Sequence, residues 1–174
     1  MQDILEKASK IKLVIFDIDG VLTTGALFLD NDGNEYKAFN SKDGHGLRML
    51  QDGGVEVAII TGRQSKLVQH RANDLGISRI YQGRREKLPA YEELLAETGL
   101  NHEDIAYVGD DVVDLPVMTK VGLAICVQDG HAFVKKHSHW ITDSNGGCGA
   151  GRDVCELILE SQGKLQDMLQ SYIS

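Results

Sequence analysis

Phe16-Asp17-Ile18-Asp19-Gly20-Val21-Leu22-Thr23 is the stretch whose reading decides the fold. It closes an apolar run and delivers two carboxylates two positions apart just where a glycine lets the backbone turn away. An apolar strand ending in paired acids reads as the first strand of an open α/β sheet, since ligands bind outside the carboxyl ends of such strands. Two carboxylates at that edge, with a divalent cation to screen repulsion from a phosphate dianion, suit nucleophilic phosphoryl transfer.

Outward from that stretch, β-rich runs at 12–16, 55–60, 79–81, 105–108, 123–127 and 140–141 alternate with helical patterns. The helical patterns fall at 46–51, 65–75, 86–98, 112–120, 133–136 and from about 152 to 172. This rhythm predicts a doubly wound α/β fold, a parallel sheet with helices on both faces. One segment departs from it. Ala26-Leu27-Phe28-Leu29 and Glu35-Tyr36-Lys37-Ala38-Phe39 flank Asp30-Asn31-Asp32-Gly33 and read as a β-hairpin inserted after the first strand. With 174 residues, no internal repeat and only two prolines, the chain is expected to form a single domain. Gly146-Gly147-Cys148-Gly149-Ala150-Gly151 is the stretch expected to be most mobile.

The formal charge of −8 argues against a nucleic-acid partner, which requires a basic surface. No apolar stretch approaches the length of a membrane span, and the first residues do not read as a secretory signal. The three cysteines, Cys126, Cys148 and Cys155, form no C-x-x-C and no even set, which points to a reducing cytoplasmic setting.

Three further segments carry chemistry. In Ile60-Thr61-Gly62-Arg63 a hydroxyl and backbone amides at a strand-to-helix junction suit phosphoryl oxygens. Lys87 opens a later helix, where a fixed cation near Asp17 would offset charge on the transferring group. Tyr107-Val108-Gly109-Asp110-Asp111-Val112-Val113-Asp114 sets three acids at a strand end, oxygen donors suited to Mg2+. Lys42, Arg48, Arg63, Arg71 and Lys87 lie on or soon after strand-end loops and favour an anionic ligand despite the net charge. His45, between two glycines, is expected to line a loop.

In order, D-x-D-G-x-x-T, the strand-end Thr, the helix-start Lys and G-D-D-x-x-D resemble the four motifs of the haloacid dehalogenase (HAD) superfamily. The resemblance implies Asp17 as nucleophile, Asp19 as acid then base, and Thr61 and Lys87 as phosphoryl holders. It also implies Mg2+ held by Asp17, the Asp19 carbonyl and Asp110, with Asp111 and Asp114 in an outer shell. Ala38–Leu50, Ile59–Arg63, Tyr107–Asp111 and G-G-x-G-A-x-R extend the resemblance to the 3-deoxy-D-manno-octulosonate 8-phosphate phosphatase family over nearly the whole chain. That implies a HAD-like Rossmannoid fold without a cap domain, a tetramer, and a phosphorylated eight-carbon keto acid substrate on the route to lipopolysaccharide. Substrate contacts carried over by position are Asp19, Asn40, Ser41, Lys42, Asp43, Gly44, Arg48, Arg63, Arg71 and Lys87. Two positions depart from the family: Lys42 stands where an Arg is common, and Cys148 where a basic residue is common.

With no room for a cap between the motifs, another element must cover the site. The hairpin carries Leu27, Phe28, Leu29 and Phe39, more apolar surface than a free ribbon should expose. Hairpins of neighbouring subunits are therefore expected to meet around a symmetry axis, each site roofed by an adjacent chain, with residues 146–151, Arg152 and the last helix as a mobile gate. The alternatives are a phosphatase of a nine-carbon sialic-type sugar 9-phosphate and a phosphoacceptor signalling domain, in which Asp19 would have no purpose.

Overall fold

The computed structural model describes residues 1–173. Helix α1 (Gln2–Ser9) leads into strand β1 (Leu13–Phe16), and a short ribbon of β2 (Phe28–Leu29) and β3 (Glu35–Tyr36) follows. Then come α2 (Ser41–Asp52), β4 (Glu56–Ile60), α3 (Lys66–Asp74), β5 (Arg79–Tyr81), α4 (Lys87–Thr98) and β6 (Ile105–Gly109). One 3-10 turn, His102–Asp104, precedes β6, and a second, Val112–Asp114, precedes α5 (Leu115–Met118), β7 (Leu123–Cys126), α6 (Ala132–Lys136), β8 (Trp140–Ile141), α7 (Ala150–Ser161) and α8 (Leu165–Gln170).

Six strands form one parallel sheet in the order β5-β4-β1-β6-β7-β8. From β1 the chain winds outward through β4 and β5, then crosses back to β6 on the other side of β1. The connections after β1 and β6 thus leave in opposite directions, which opens a crevice at the carboxyl ends of these two central strands. Both are buried along their whole length, as a sheet covered on both faces requires. Alternate residues serve the two faces. Val14, Phe16, Val57, Ile59, Ala106 and Val108 pack with α2, α3 and α7; Leu13, Ile15, Ala58, Ile60, Ile105 and Tyr107 pack with α4, α5 and α6.

Every expected sheet strand is present, within a residue or so at each end. Three helical features differ from expectation. Helix α1 lies in a stretch for which no helix is expected. Helix α2 begins five residues before the predicted start, because the Asn40 side chain accepts from the Lys42 and Asp43 amides and caps it despite two internal glycines. The C-terminal region is two helices, broken at Gly163. Among the described residues no helix is long and apolar enough to cross a membrane.

Candidate active site

The turn after β1 is held by its own backbone and by the Thr23 hydroxyl. The carbonyl of Ile18 accepts from the amides of Val21, Leu22 and Thr23, and the Thr23 hydroxyl accepts from Gly20 and Gly25. Gly20 sits at φ 88°, and a Cβ there would lie 2.1 Å from Asp110 Oδ2, so only glycine lets the two strand-end loops approach. The Asp17 amide donates to the Val108 carbonyl at 3.1 Å, which fixes the first loop against the end of β6.

Around Asp17 the charges interlock. Its Oδ1 accepts from the Ile18 amide at 2.7 Å, and Oδ2 lies 2.8 Å from Lys87 Nζ. Lys87 also donates to Asp114 Oδ1 at 2.6 Å, where the Tyr107 hydroxyl donates too, at 2.6 Å. Asp114 Oδ2 accepts from the amides of Asp110 and Asp111 at 3.0 and 3.2 Å. Lys87 opens α4, where a cation opposes the helix dipole. Burial alone would lower its pKa, but Asp17 and Asp114 raise it above the ordinary value, so the ammonium stays charged.

One oxygen each of Asp17, Asp110 and Asp114 lies within 4.8 Å of the others. The three are not equivalent. Both oxygens of Asp114 are taken up by four donors, whereas the Asp110 carboxylate accepts no hydrogen bond among the described residues. Burial, followed by the charges of Asp114 and Asp17, pushes Asp110 up to about 7. Burial also raises Asp17 to about 6, against the lowering pull of Lys87. A hard divalent cation fits this donor set, because carboxylate oxygens suit Mg2+ and a positive charge would relieve the repulsion recorded in both raised values.

The crevice is a cavity of about 390 Å³ lined by Asp17, Asp19, Thr61, Arg63, Lys87 and Asp110 among others. Thr61 is held by backbone bonds to Tyr81 and Arg84, and its hydroxyl has no partner among the described residues. Asp111 caps the 3-10 turn through Val112 and faces the same cavity. A larger recess of about 550 Å³ lies at the opposite edge of the sheet, but its one ion pair, Lys12 with Asp104, gives it no comparable convergence of charge.

A model of the haloacid dehalogenase-like hydrolases matches residues 76–150. The chain is 48% identical to the 3-deoxy-D-manno-octulosonate 8-phosphate phosphatase KdsC of Yersinia pestis, over 94% of this chain and 88% of that protein. The chain belongs to the 3-deoxy-D-manno-octulosonate 8-phosphate phosphatase family. Two solved structures superpose closely. A probable YrbI family phosphatase from Pseudomonas syringae has TM-score 0.99 and 47% identity, covering 100% of this chain and 99% of that one. The family's enzyme from Moraxella catarrhalis, in complex with a magnesium ion, a phosphate ion and a KDO molecule, has TM-score 0.97 and 41% identity, with 99% of each chain covered.

Asp17, Asp19, Thr61, Arg63, Lys87, Asp110 and Asp111 thus face one cavity, with Asp114 buried beneath it. The remaining positions lie elsewhere in the chain, and several have other work. Asn40 caps α2, with Ser41 and Lys42 exposed at the first turn. Asp43 is buried, and its Oδ1 accepts from the Arg152 amide and ties the start of α7 to α2. Gly44 is buried beside the Arg71 guanidinium, which lies 5.9 Å from the Phe39 ring centroid. Arg48 is exposed and donates to the carbonyl of Asp74 at the end of α3. His45 is exposed on α2, 3.0 Å from the Tyr172 hydroxyl, and lines no loop.

The glycine-rich segment packs against the turn after β1. The Gly147 amide donates to Val21 at 2.8 Å and the Gly146 amide to Asp129 at 2.8 Å. A Cβ on Gly146 would fall 1.8 Å from the Gly20 carbonyl oxygen, so this glycine serves close packing against the catalytic turn. Sequence reasoning missed Glu35 and Lys37, which join Asp19 and Arg63, and Arg85, an exposed cation in the cavity wall. The spacing Glu35-x-Lys37 was a readable signal, since alternate residues of a ribbon share a face. Arg85 left none.

Proposed function

We propose that this chain is a magnesium-dependent phosphomonoesterase that hydrolyses 3-deoxy-D-manno-octulosonate 8-phosphate to 3-deoxy-D-manno-octulosonate and phosphate. The observation that carries the reading is the Asp17 carboxylate, held by the Ile18 amide and Lys87 at the cavity floor within reach of Asp110. The named substrates and ligands of the relatives support the sugar acid as substrate.

The Asp17 carboxylate attacks phosphorus, and the ester P–O bond to the sugar breaks as an Asp17 acyl phosphate forms. Asp19 gives its proton to the leaving oxygen. In the second half, Asp19 takes a proton from water, which attacks phosphorus and breaks the Asp17–phosphorus bond. Lys87 and Thr61 hold phosphoryl oxygens through both steps, and Arg63 faces the rest of the anion. Asp17, Asp110 and the Asp19 carbonyl, which accepts no hydrogen bond among the described residues, would hold Mg2+. The ion supplies charge neutralisation between the carboxylates and the phosphate. Asp114 orients Lys87 and the amides that shape the Asp110 loop.

The site is proposed to be completed by a second copy of the chain in a cytoplasmic homotetramer. The hairpin exposes Leu27, Phe28, Leu29 and Tyr36, each more than half accessible, and Val113 is exposed in the cavity wall. Those surfaces support subunit contacts near the site. The Asn40 to Gly44 turn and Arg71 would then serve a neighbouring cavity or the interface itself. The test is phosphate release from a panel of sugar phosphates, including a nine-carbon 9-phosphate, with Mg2+ and with a chelator. Selective, chelator-sensitive release from the eight-carbon substrate supports the reading, and preference for the nine-carbon ester would overturn the substrate.

A further inference from the structure

Lys37 follows β3 directly, yet its side chain is only 3% exposed on an otherwise open ribbon. A buried ammonium requires charged partners, and Lys37 has two: Asp19 Oδ1 at 2.6 Å and Glu35 Oε1 at 3.1 Å. Arg63 closes the circuit, 2.9 Å from Glu35 Oε1 and 3.9 Å from Asp19 Oδ2. Two acids and two bases therefore alternate in a ring drawn from the loop after β1, the hairpin stem and the loop after β4. Burial raises the Glu35 carboxyl, but Lys37 and Arg63 outweigh it and hold it below its ordinary value, so its charge in the ring is secure.

We propose that Lys37 is a positioning residue for Asp19, and that the hairpin stem, through Lys37 and Glu35, sets where the acid–base carboxylate stands in the cavity. The inference rests on the assignment of proton transfer to Asp19. Asp19 lies in a turn whose internal hydrogen bonds involve Ile18, Gly20 and Thr23, and its carboxylate takes no part in them. Its carboxylate is partnered by the ring alone among the described residues. Without Lys37 that carboxylate would be free to rotate about its side-chain bonds, and small displacements of a proton donor cost large factors in rate. The ring also gives the hairpin a role inside its own subunit, separate from any contact with a neighbour.

The experiment compares Lys37→Met and Lys37→Arg on the sugar phosphate and on a nitrophenyl phosphate, whose leaving group needs little protonation. Lys37→Met is expected to lower kcat on the sugar phosphate by about 10- to 100-fold with KM changed less than about threefold, and to affect the nitrophenyl ester less. Lys37→Arg should recover part of the loss. Glu35→Gln, which keeps the ammonium but removes one partner, should show the same dependence on leaving group at about threefold. In an Asp19→Asn background Lys37→Met should change residual nitrophenyl hydrolysis by less than about twofold, because two residues acting as a unit are not additive. Unchanged sugar-phosphate turnover in Lys37→Met, equal loss on both esters, or additivity with Asp19→Asn would each overturn the proposal. Asp19→Asn alone separates the two levels: a loss independent of leaving group removes the acid–base assignment and this inference with it, whereas a dependent loss beside a silent Lys37→Met removes the inference only.

Discussion

The floor of the cavity and the hairpin above it are stabilised by opposite means. At the floor, Asp17, Lys87 and Asp114 are buried, and each carboxylate oxygen of Asp17 and Asp114 has at least one donor drawn from the ends of β1 or β6 or the start of α4. The hairpin pairs only Phe28 with Tyr36 and Leu29 with Glu35, and its apolar side chains face solvent. The floor is fixed from within the chain, so its substitutions should act on the single subunit, through chemistry, folding or both. The hairpin is held by the charge ring at its stem, so changes at its tip should act on association.

Substitutions at the floor are the strongest way to break that contrast. Asp17→Asn removes the nucleophile but keeps its shape and relieves like-charge repulsion with Asp114. Turnover should fall by roughly 10³-fold or more, with the thermal midpoint unchanged or higher. Phosphate release and a melting curve on the same preparation check both halves, and a variant that is inactive because it is unfolded would defeat the argument.

Lys87→Met tests whether the floor is one electrostatic unit. It leaves Asp17 and Asp114 buried without their shared cation, which should cost about 3–5 kcal/mol of stability together with about 10²-fold or more in rate. Urea denaturation measures the first. A stability loss below about 1 kcal/mol would mean that the pairing contributes little beyond what a methionine supplies.

The floor was also the more legible region, for the same physical reason. Asp17, Asp19, Thr61, Lys87 and Asp110 each sit at a strand end or helix start that periodicity alone can place, and the parallel order brings those ends together. Strand positions followed from buried, β-branched runs. Helix α2 was read short because Gly44 and Gly46 interrupt its pattern, while its true start depends on a cap from Asn40. The intrachain partners of Asp43 and Arg48 were not legible for a related reason: the Arg152 amide and the Asp74 carbonyl lie 109 and 26 residues away, and only packing reveals them. Composition marks the glycine-rich segment but does not reveal that Gly146 closely approaches Gly20 and Gly147 approaches Thr23.

Acidity gives a third, smaller effect confined to the floor. Asp110 is raised to about 7 and Asp17 to about 6 in the metal-free protein. A raised carboxyl pKa means that the folded state binds the proton more tightly than the unfolded chain. That stabilisation is therefore complete below about 4 and is lost as pH climbs through about 6 to about 7. Mg2+ competes with those protons, so its affinity should fall roughly tenfold or more between pH 7.5 and pH 5.5. Its stabilising shift in melting temperature should shrink over the same interval. Titration of Mg2+ at several pH values reads this directly, and a flat affinity would show that these two carboxylates are not the ones the ion displaces from their protons.

The tip of the hairpin should give the smallest effect on the chain itself and the clearest effect on association. Phe28 and Leu29 are 54% and 61% exposed in the single chain, so replacing either with Asp removes little buried area and should change folding stability by less than about 0.5 kcal/mol. A charge placed on a face that packs against another subunit is costly, because it must be desolvated without a partner. Phe28→Asp and Leu29→Asp should therefore shift the protein to smaller species in light scattering and lower activity several-fold at nanomolar concentration, with recovery as concentration rises. Phe28 pairs with the exposed Tyr36 and not with a member of the charge ring, so Phe28→Asp should leave Lys37 and Glu35 in place with Mg2+ affinity matching the parent. Leu29 pairs with Glu35, so Leu29→Asp also sets a like charge beside the ring. If the substituted protein stays associated and fully active, the hairpin's apolar face does not meet a neighbour. If it dissociates without loss of rate, the cavity floor and the charge ring of one chain suffice for turnover, and the neighbour contributes only stability.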